Sequence, residues 1–142
     1  MAVTVEPKIT VYRADAPQNF AIDLRLKPAS DEAESDVVLR RRGPRDYYVV
    51  RLDARGQKAT FARVSAGKSN EIASVDCRIT ANAWHTLHVR AEDNRFTVSL
   101  DGAWLFTAYD SVLQQPGRLA VWVKPGSPVQ FDNIAVSPIG PE

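Results

Sequence analysis

The feature of this sequence that most constrains its fold is an alternation of apolar and polar side chains that ends in an Asp-Gly turn. Phe96, Val98 and Leu100 occupy every second position just before Asp101-Gly102. Successive side chains of a β-strand point to opposite faces, so these three share one face. Aspartate and glycine accept the positive φ angles of a tight hairpin turn. Residues 84–110 therefore predict an antiparallel meander with one buried face and with turns at 92–94 and 101–102.

The same alternation recurs along most of the chain. Its clearest instance is Phe20, Ile22, Leu24 and Leu26, with polar or small residues between them. No stretch of useful length has the apolar period of a helix. We predict strands at 8–13, 20–26, 118–124 and 129–136, hairpins that pair 37–42 with 46–53 and 58–65 with 70–75, a break at 14–18, a loop at 28–36 and a short helical turn at 111–115. About ten or eleven short strands predict an all-β sandwich or jelly roll of two antiparallel sheets.

Composition and charge are those of one ordinary globular domain. The 142 residues are 44% apolar and 25% charged, with a formal net charge of +1. That length suits a single domain, and a near-neutral charge gives no electrostatic reason to expect nucleic acid. The first ten residues lack the basic start and apolar run of a secretory signal, and no segment is long enough to span a bilayer. We expect neither nucleic acid nor a membrane as a partner, and the sequence leaves the compartment, cytoplasmic or exported, undecided.

Five short segments together resemble a known superfamily. They are DYYVVR at 46–51, WHTLHV at 84–89, LDG at 100–102, PGRLAVWVK at 116–124 and FDNI at 131–134. This series is similar to the concanavalin A-like lectin/glucanase superfamily, in particular to LamG-like and 3-keto-disaccharide hydrolase-like domains of bacteria. The resemblance is strongest over 19–136 and implies a single jelly-roll domain over 1–142. The stretch before Asn19 is shorter than such domains usually have, which leaves open a missing edge strand or a fragment of a longer protein.

An acidic segment raises the question of catalysis. The resemblance implies that relatives with glucanase activity carry Glu-x-Asp-x-Glu on one strand, a spacing that puts an acid and a nucleophile on one face. Only Glu32, Glu34 and Asp36 approach that spacing. We expect these three residues in a solvated loop that precedes the strand. A weak calcium site is the lesser alternative, because hard cations favour clusters of oxygen ligands.

Other residues that often serve chemistry give no recognisable site. An odd separation sends His85 and His88 to opposite faces of a strand, and no third ligand stands at a recognisable spacing. We expect His85 to be packed with the core and His88 to be exposed. Cys77 is the single cysteine and cannot form an internal disulfide. Apart from the weak calcium alternative at Glu32, Glu34 and Asp36, we therefore predict no metal ion and no cofactor.

The face opposite the core holds the most informative set of side chains. If Leu39 points inward, Arg40 points outward, and Trp122 opposes Val121 in the same way. The resemblance implies that sugars lie on the concave outer face of one sheet. An aromatic ring there packs on a pyranose while charged groups bond its hydroxyls. The candidate ligand-binding residues are Arg40, Tyr47, Arg51, Trp122, Lys124 and Asp132. The competing interpretation is a cross-strand charge ladder beside a half-buried tryptophan.

These observations favour a non-catalytic carbohydrate-binding or interaction module over an enzyme. The first alternative is a glycoside-cleaving domain of the 3-keto-disaccharide hydrolase type, which the resemblance implies but which no carboxylate pair supports. The second is a structural module that packs on another chain through a sheet edge or the concave face. Carbohydrate is thus the expected ligand, and a protein partner or a homo-oligomer stays open.

Overall fold

The structure, a computed structural model, describes residues 9–126 and 128–139 and contains eleven β-strands in this part of the chain. They are β1 Ile9–Ala16, β2 Phe20–Pro28, β3 Glu34–Gly43, β4 Asp46–Asp53, β5 Lys58–Ser65, β6 Lys68–Asp76, β7 His85–Glu92, β8 Arg95–Leu100, β9 Ala103–Tyr109, β10 Gly117–Val123 and β11 Val129–Pro138. The predicted hairpins and meander are confirmed. The described part of the chain contains no helix that is long and apolar enough to cross a bilayer.

The strands form two antiparallel sheets that pack face to face. The six-stranded sheet has the order β1-β10-β3-β4-β5-β6, and the five-stranded sheet has the order β11-β2-β7-β8-β9. Hairpins account for the pairs β3-β4, β4-β5, β5-β6, β7-β8 and β8-β9, whose partners are consecutive in sequence. The remaining neighbours are distant in sequence, and β10 lies between β1 and β3. The predicted all-β sandwich of two antiparallel sheets is therefore confirmed.

The core between the sheets is built from the apolar positions of the alternation. Phe20, Ile22, Leu24 and Leu26 are at most 1% exposed. Every second side chain of β8 is buried in the same way. An aromatic group lies at the centre, where the Tyr48 ring stacks on Phe61 with centroids 5.4 Å apart and contacts Phe96 at 4.6 Å. Burial of apolar surface at these positions is the main term that stabilises the domain.

Several predicted boundaries differ by one to three residues, and three of the expected segments differ in kind or extent. The first strand extends to Ala16, through part of the expected break at 14–18, and its expected first residue, Lys8, lies outside the described residues. The expected helical turn at 111–115 is an irregular segment whose Leu113 side chain is only 6% exposed. β3 begins at Glu34, so residues 34–36 of the expected loop at 28–36 belong to the strand. At β1 and β3, pairing with distant strands overrides the local pattern.

The Asp101-Gly102 turn has the geometry that its sequence predicts. Both residues have positive φ, 53° and 81°. The Asp101 carboxylate accepts a hydrogen bond from the Thr86 amide at 2.8 Å and contacts Nδ1 of the buried His85 at 2.7 Å. The turn is thus tied to the adjoining strand β7.

We expect Gly102→Val to lower the free energy of unfolding by about 1 kcal/mol or more, because a β-branched residue is strained at positive φ. Thermal unfolding measures the effect. Gly43→Val is the matched control, since Gly43 has open space around its Cβ position and no positive φ. Equal melting temperatures for both variants would contradict the strained-turn argument.

Candidate functional site

A β-bulge in β3 decides which side chains reach the outer face of the six-stranded sheet. Val38 pairs with Ala120, and Arg41 pairs with Arg118. Two residues of β3 therefore oppose a single residue of β10 between these pairs, the arrangement of a bulge. Arg40 occupies the bulge with φ 49°. The strict alternation between inner and outer faces is broken here, and Arg41 lies where Arg40 was expected.

The bulge buries Arg40 at one end of the core, which corrects its expected place on the outer face. The side chain is 1% exposed. Its Nε and Nη2 donate to the Gln18 carbonyl at 3.0 and 2.8 Å, and Nη1 donates to the Leu113 carbonyl at 3.2 Å. The guanidinium also lies 5.0 Å from the centre of the Phe96 ring. Desolvation lowers the pKa of Arg40. Arg40 thus joins the chain segments around Gln18 and Leu113 to the core.

The outer face of the six-stranded sheet carries an aromatic pair. The Trp122 and Tyr47 rings meet edge to face, with centroids 5.4 Å apart. The Arg41 guanidinium lies 5.7 Å from the Trp122 ring centre. Both rings are half-buried. Beneath them is a small apolar floor of Val38, Val49 and Ala120. We call the aromatic pair, this floor, Arg41, Arg51 and Asp36 the Trp122 face.

An ion pair borders the aromatic pair on the Trp122 face. Arg51 donates two hydrogen bonds to Asp36, from Nε at 2.8 Å and from Nη2 at 3.1 Å, and its Nε is 3.1 Å from Glu34 Oε1. The Asp36 hydrogen bond raises the pKa of Arg51. Burial, aided by Asp36, raises the pKa of the Tyr47 hydroxyl, which keeps it a neutral donor. The Arg51 side chain stays 40% exposed, and this exposed part can contact a ligand.

This pair also corrects the expectation that the acidic segment precedes the strand. Glu34 and Asp36 lie on β3, two residues apart and therefore on the same face. Glu32 is exposed and lies before the strand. Within residues 9–126 and 128–139, no three His, Cys, Asp or Glu side chains are grouped so as to hold a metal ion. The calcium hypothesis for this segment thus gains no geometric support.

Two further candidates occupy different places. Lys124 follows β10 directly, half-buried, and its amide donates to the Glu34 carbonyl at 3.1 Å, which puts it at one end of the Trp122 face. Asp132 lies on β11 of the other sheet, exposed and opposite Arg25. The structure therefore brings together Tyr47, Arg51 and Trp122, with Lys124 at the margin. It separates Arg40 and Asp132 from them, so the cross-strand ion pair on this face joins Arg51 to Asp36 and not to Asp132.

The five-stranded sheet has a second set of exposed aromatic residues that the sequence analysis did not single out. Trp104 is 65% and Trp84 is 38% exposed, and the Arg25 guanidinium lies 4.8 Å from the Trp84 ring centre. His88, half-buried on the same sheet, contacts Asp23 Oδ1 through Nδ1 at 2.6 Å. Each sheet thus exposes a tryptophan with an arginine over its ring. The Trp122 face also has a direct contact between two aromatic rings and an apolar floor beneath them.

Two packed sheets of six and five antiparallel strands define the fold class. The fold is the concanavalin A-like jelly-roll sandwich of lectins and glucanases. No family model matches the sequence, and no curated protein matches it at a significant level.

Among solved structures, the chain is similar to the carbohydrate-binding module CBM66 from Bacillus subtilis, with a TM-score of 0.77, 20% identity and coverage of 87% of this chain and 77% of that one. It is similar to sheep galectin-11, solved with glycerol, with a TM-score of 0.74, 11% identity and coverage of 94% and 99%. It is also similar to a Bacillus licheniformis β-glucanase, with a TM-score of 0.62, 21% identity and coverage of 78% of this chain but 56% of that one. At these identities the likeness establishes the fold alone.

Proposed function

We propose that this domain is a non-catalytic carbohydrate-binding module that takes its ligand on the Trp122 face. The observation that carries the proposal is the Trp122 and Tyr47 pair, 5.4 Å apart over an apolar floor on the outside of a sheet. Apolar side chains clustered on an outer face mark binding surfaces. A flat ring there packs against the C–H face of a sugar. The similar carbohydrate-binding module and galectin make saccharides the first ligand class to test.

The polar groups around the rings suit hydroxyl recognition. Arg51 keeps an exposed part although Asp36 holds its guanidinium in place. A side chain fixed in this way loses little conformational entropy when it bonds a ligand. Tyr47 adds a neutral hydroxyl to the same surface. The rings would therefore supply affinity, and the donors around them would select the orientation of the sugar.

We expect Trp122→Ala to weaken saccharide binding by roughly thirtyfold, on the order of 2 kcal/mol for the loss of an aromatic anchor. The fold should persist, because Trp122 lies outside the main core. A glycan array, run with and without calcium, followed by titration of the hits, measures the binding. Circular dichroism checks the fold.

Trp104→Ala is the matched control for this experiment, since it removes a tryptophan that is 65% exposed on the other sheet. Binding that survives Trp122→Ala but disappears in Trp104→Ala would move the site to the five-stranded sheet. Unfolding of Trp122→Ala would show that the ring is structural. Calcium-dependent binding would revive the ion site at the acidic segment.

Glycoside cleavage of the 3-keto-disaccharide hydrolase type is the second candidate function. It is favoured by Glu34 and Asp36, which share one face of β3. Against it, the next position of a Glu-x-Asp-x-Glu series is Val38, an apolar residue that is 0% exposed. Both carboxylates also contact Arg51. Shortened saccharides recovered after incubation with the array hits would favour the enzyme over the binding module.

A structural module is the remaining alternative. In that case the Trp122 face would be covered by another protein or a second copy of this chain. This alternative would be favoured if no saccharide on a broad glycan array bound and if sedimentation gave a mass larger than that of a single chain.

A further inference from the structure

Arginine side chains concentrate at one end of the Trp122 face. Arg41 of β3 stands directly opposite Arg118 of β10, and Arg13 of β1 stands opposite Ala120. Opposed residues of antiparallel strands point to the same side of the sheet. Three guanidinium groups thus share this end of the face, with Asp15, opposite Arg118, as the acid placed among them by the same pairing.

The positive charge of this arginine group is poorly compensated. Arg118 Nε is 3.8 Å from Asp15 Oδ1, and the two side chains are 67% and 95% exposed, so the pair contributes little. Like charges directly opposite each other, as Arg41 and Arg118 are, destabilise a sheet. Arg51 differs, because Asp36 and Glu34 both contact it. Positive charge left on a binding face attracts a negatively charged ligand.

Arg41 has an unused donor next to the aromatic pair. Its Nε is buried and has no hydrogen-bond acceptor among the residues that the structure describes. Buried donors without a partner are rare in folded proteins. The same guanidinium lies 5.7 Å from the Trp122 ring centre. Movement of Arg41 away from the ring would free both the ring face and Nε at the same time.

From this juxtaposition we infer that the saccharide taken by the Trp122 face is anionic, with a carboxylate or sulfate group that Arg41 binds. The inference rests on the proposed function and narrows its ligand class. The sugar ring replaces the Arg41 guanidinium on Trp122, and Arg41 turns to pair Nε and one Nη with two oxygens of the acidic group. Arginine suits this two-point contact because its donors form a planar fork. Arg118 and Arg13 add attraction at longer range.

The test compares an oligogalacturonate with its fully methyl-esterified form, which keeps the sugar and removes the charge. We expect the wild-type domain to bind the acid at least about tenfold more tightly, because hydrogen bonds between charged groups are the stronger ones. Arg41→Gln should bring the affinity for the acid down to that for the ester. Arg25→Gln is the matched control, since Arg25 also lies over a tryptophan ring, Trp84, but on the other sheet.

Arg118→Gln provides a second variant at an exposed position, with a smaller expected loss of about threefold, in case Arg41→Gln affects folding. A carrageenan oligosaccharide, which carries sulfate groups and no carboxylate, replaces the acid in a parallel titration and distinguishes sulfate from carboxylate. Equal binding of acid and ester in the wild type would overturn the inference and leave the proposed function standing. If the domain bound neither the acid, the ester and the sulfated oligosaccharide nor any saccharide of the array, the proposed function itself would be overturned. Equally tight binding of an oligonucleotide would reassign the arginine group to nucleic acid.

Discussion

Arg40→Ala is expected to lower the free energy of unfolding by about 4 kcal/mol. The Arg40 guanidinium donates to two backbone carbonyls, of Gln18 and Leu113, at one end of the core. A hydrogen bond to a charged group contributes roughly 1.5–3 kcal/mol, and truncation removes this charged donor from both carbonyls. The removed side chain leaves a cavity beside Phe96, which adds to the loss. Urea denaturation followed by circular dichroism measures the change.

Arg42→Ala is the matched control for Arg40→Ala, because Arg42 lies two residues along the same strand and is exposed. Its replacement should change stability by no more than about 0.5 kcal/mol. Arg40→Lys keeps the charge but lacks the forked donors, so it should restore only part of the loss. Equal stability of the Arg40 and Arg42 variants would mean that Arg40 is not buried as described.

Gly117→Ala is expected to cost about 3 kcal/mol and to weaken ligand binding as well. A Cβ atom at Gly117 would lie 2.5 Å from the Arg40 carbonyl carbon and 2.8 Å from both the amide nitrogen and the carbonyl oxygen of Arg41. These are backbone atoms of the bulge, which cannot turn aside as a flexible side chain does. Overpacking of this kind costs roughly 1–3 kcal/mol. The bulge must therefore shift, and the direction of the Arg41 side chain shifts with it.

Gly43→Ala tests the same chemical change at the last residue of β3. Nothing lies within 4 Å of a Cβ built on Gly43, and its φ is not positive. We expect its melting temperature and ligand affinity to match those of the wild type. A Gly117→Ala variant with unaltered stability would show that β10 does not approach the bulge so closely.

The sequence predicts the strands well because burial on one face imposes a period of two. The alternation in β2 and β8 appears in the structure as alternating burial, and four of the five hairpin loops contain glycine or proline. The same reasoning fails at Arg40. A bulge inserts one residue without a change in the local pattern, and positive φ at an arginine has no sequence signal. Arg41, and not Arg40, therefore belongs to the candidate site.

Sheet membership is the second feature that the sequence does not reveal. Asp132 alternates with apolar residues much as residues of the six-stranded sheet do, yet β11 pairs with β2 in the other sheet. Strand order depends on contacts between distant segments, which period-two patterns do not record. The alternation predicts the correct face for Arg51, but it predicts a loop for its partners Glu34 and Asp36. One signal could have located them, since Asp36 is followed directly by the apolar run that forms β3.

The position of β10 between β1 and β3 has a consequence for how the domain matures. During synthesis, the ribosome adds Arg41, Tyr47 and Arg51 early in the chain. Trp122 follows only after nine of the eleven strands have been made. Until β10 enters, β1 and β3 have no common neighbour, and the apolar floor lacks Ala120. Long-range strand pairing of this kind is slow. A nascent or truncated chain that ends before β10 would therefore lack the Trp122 face, and burial of the Trp122 ring would report completion of the sandwich.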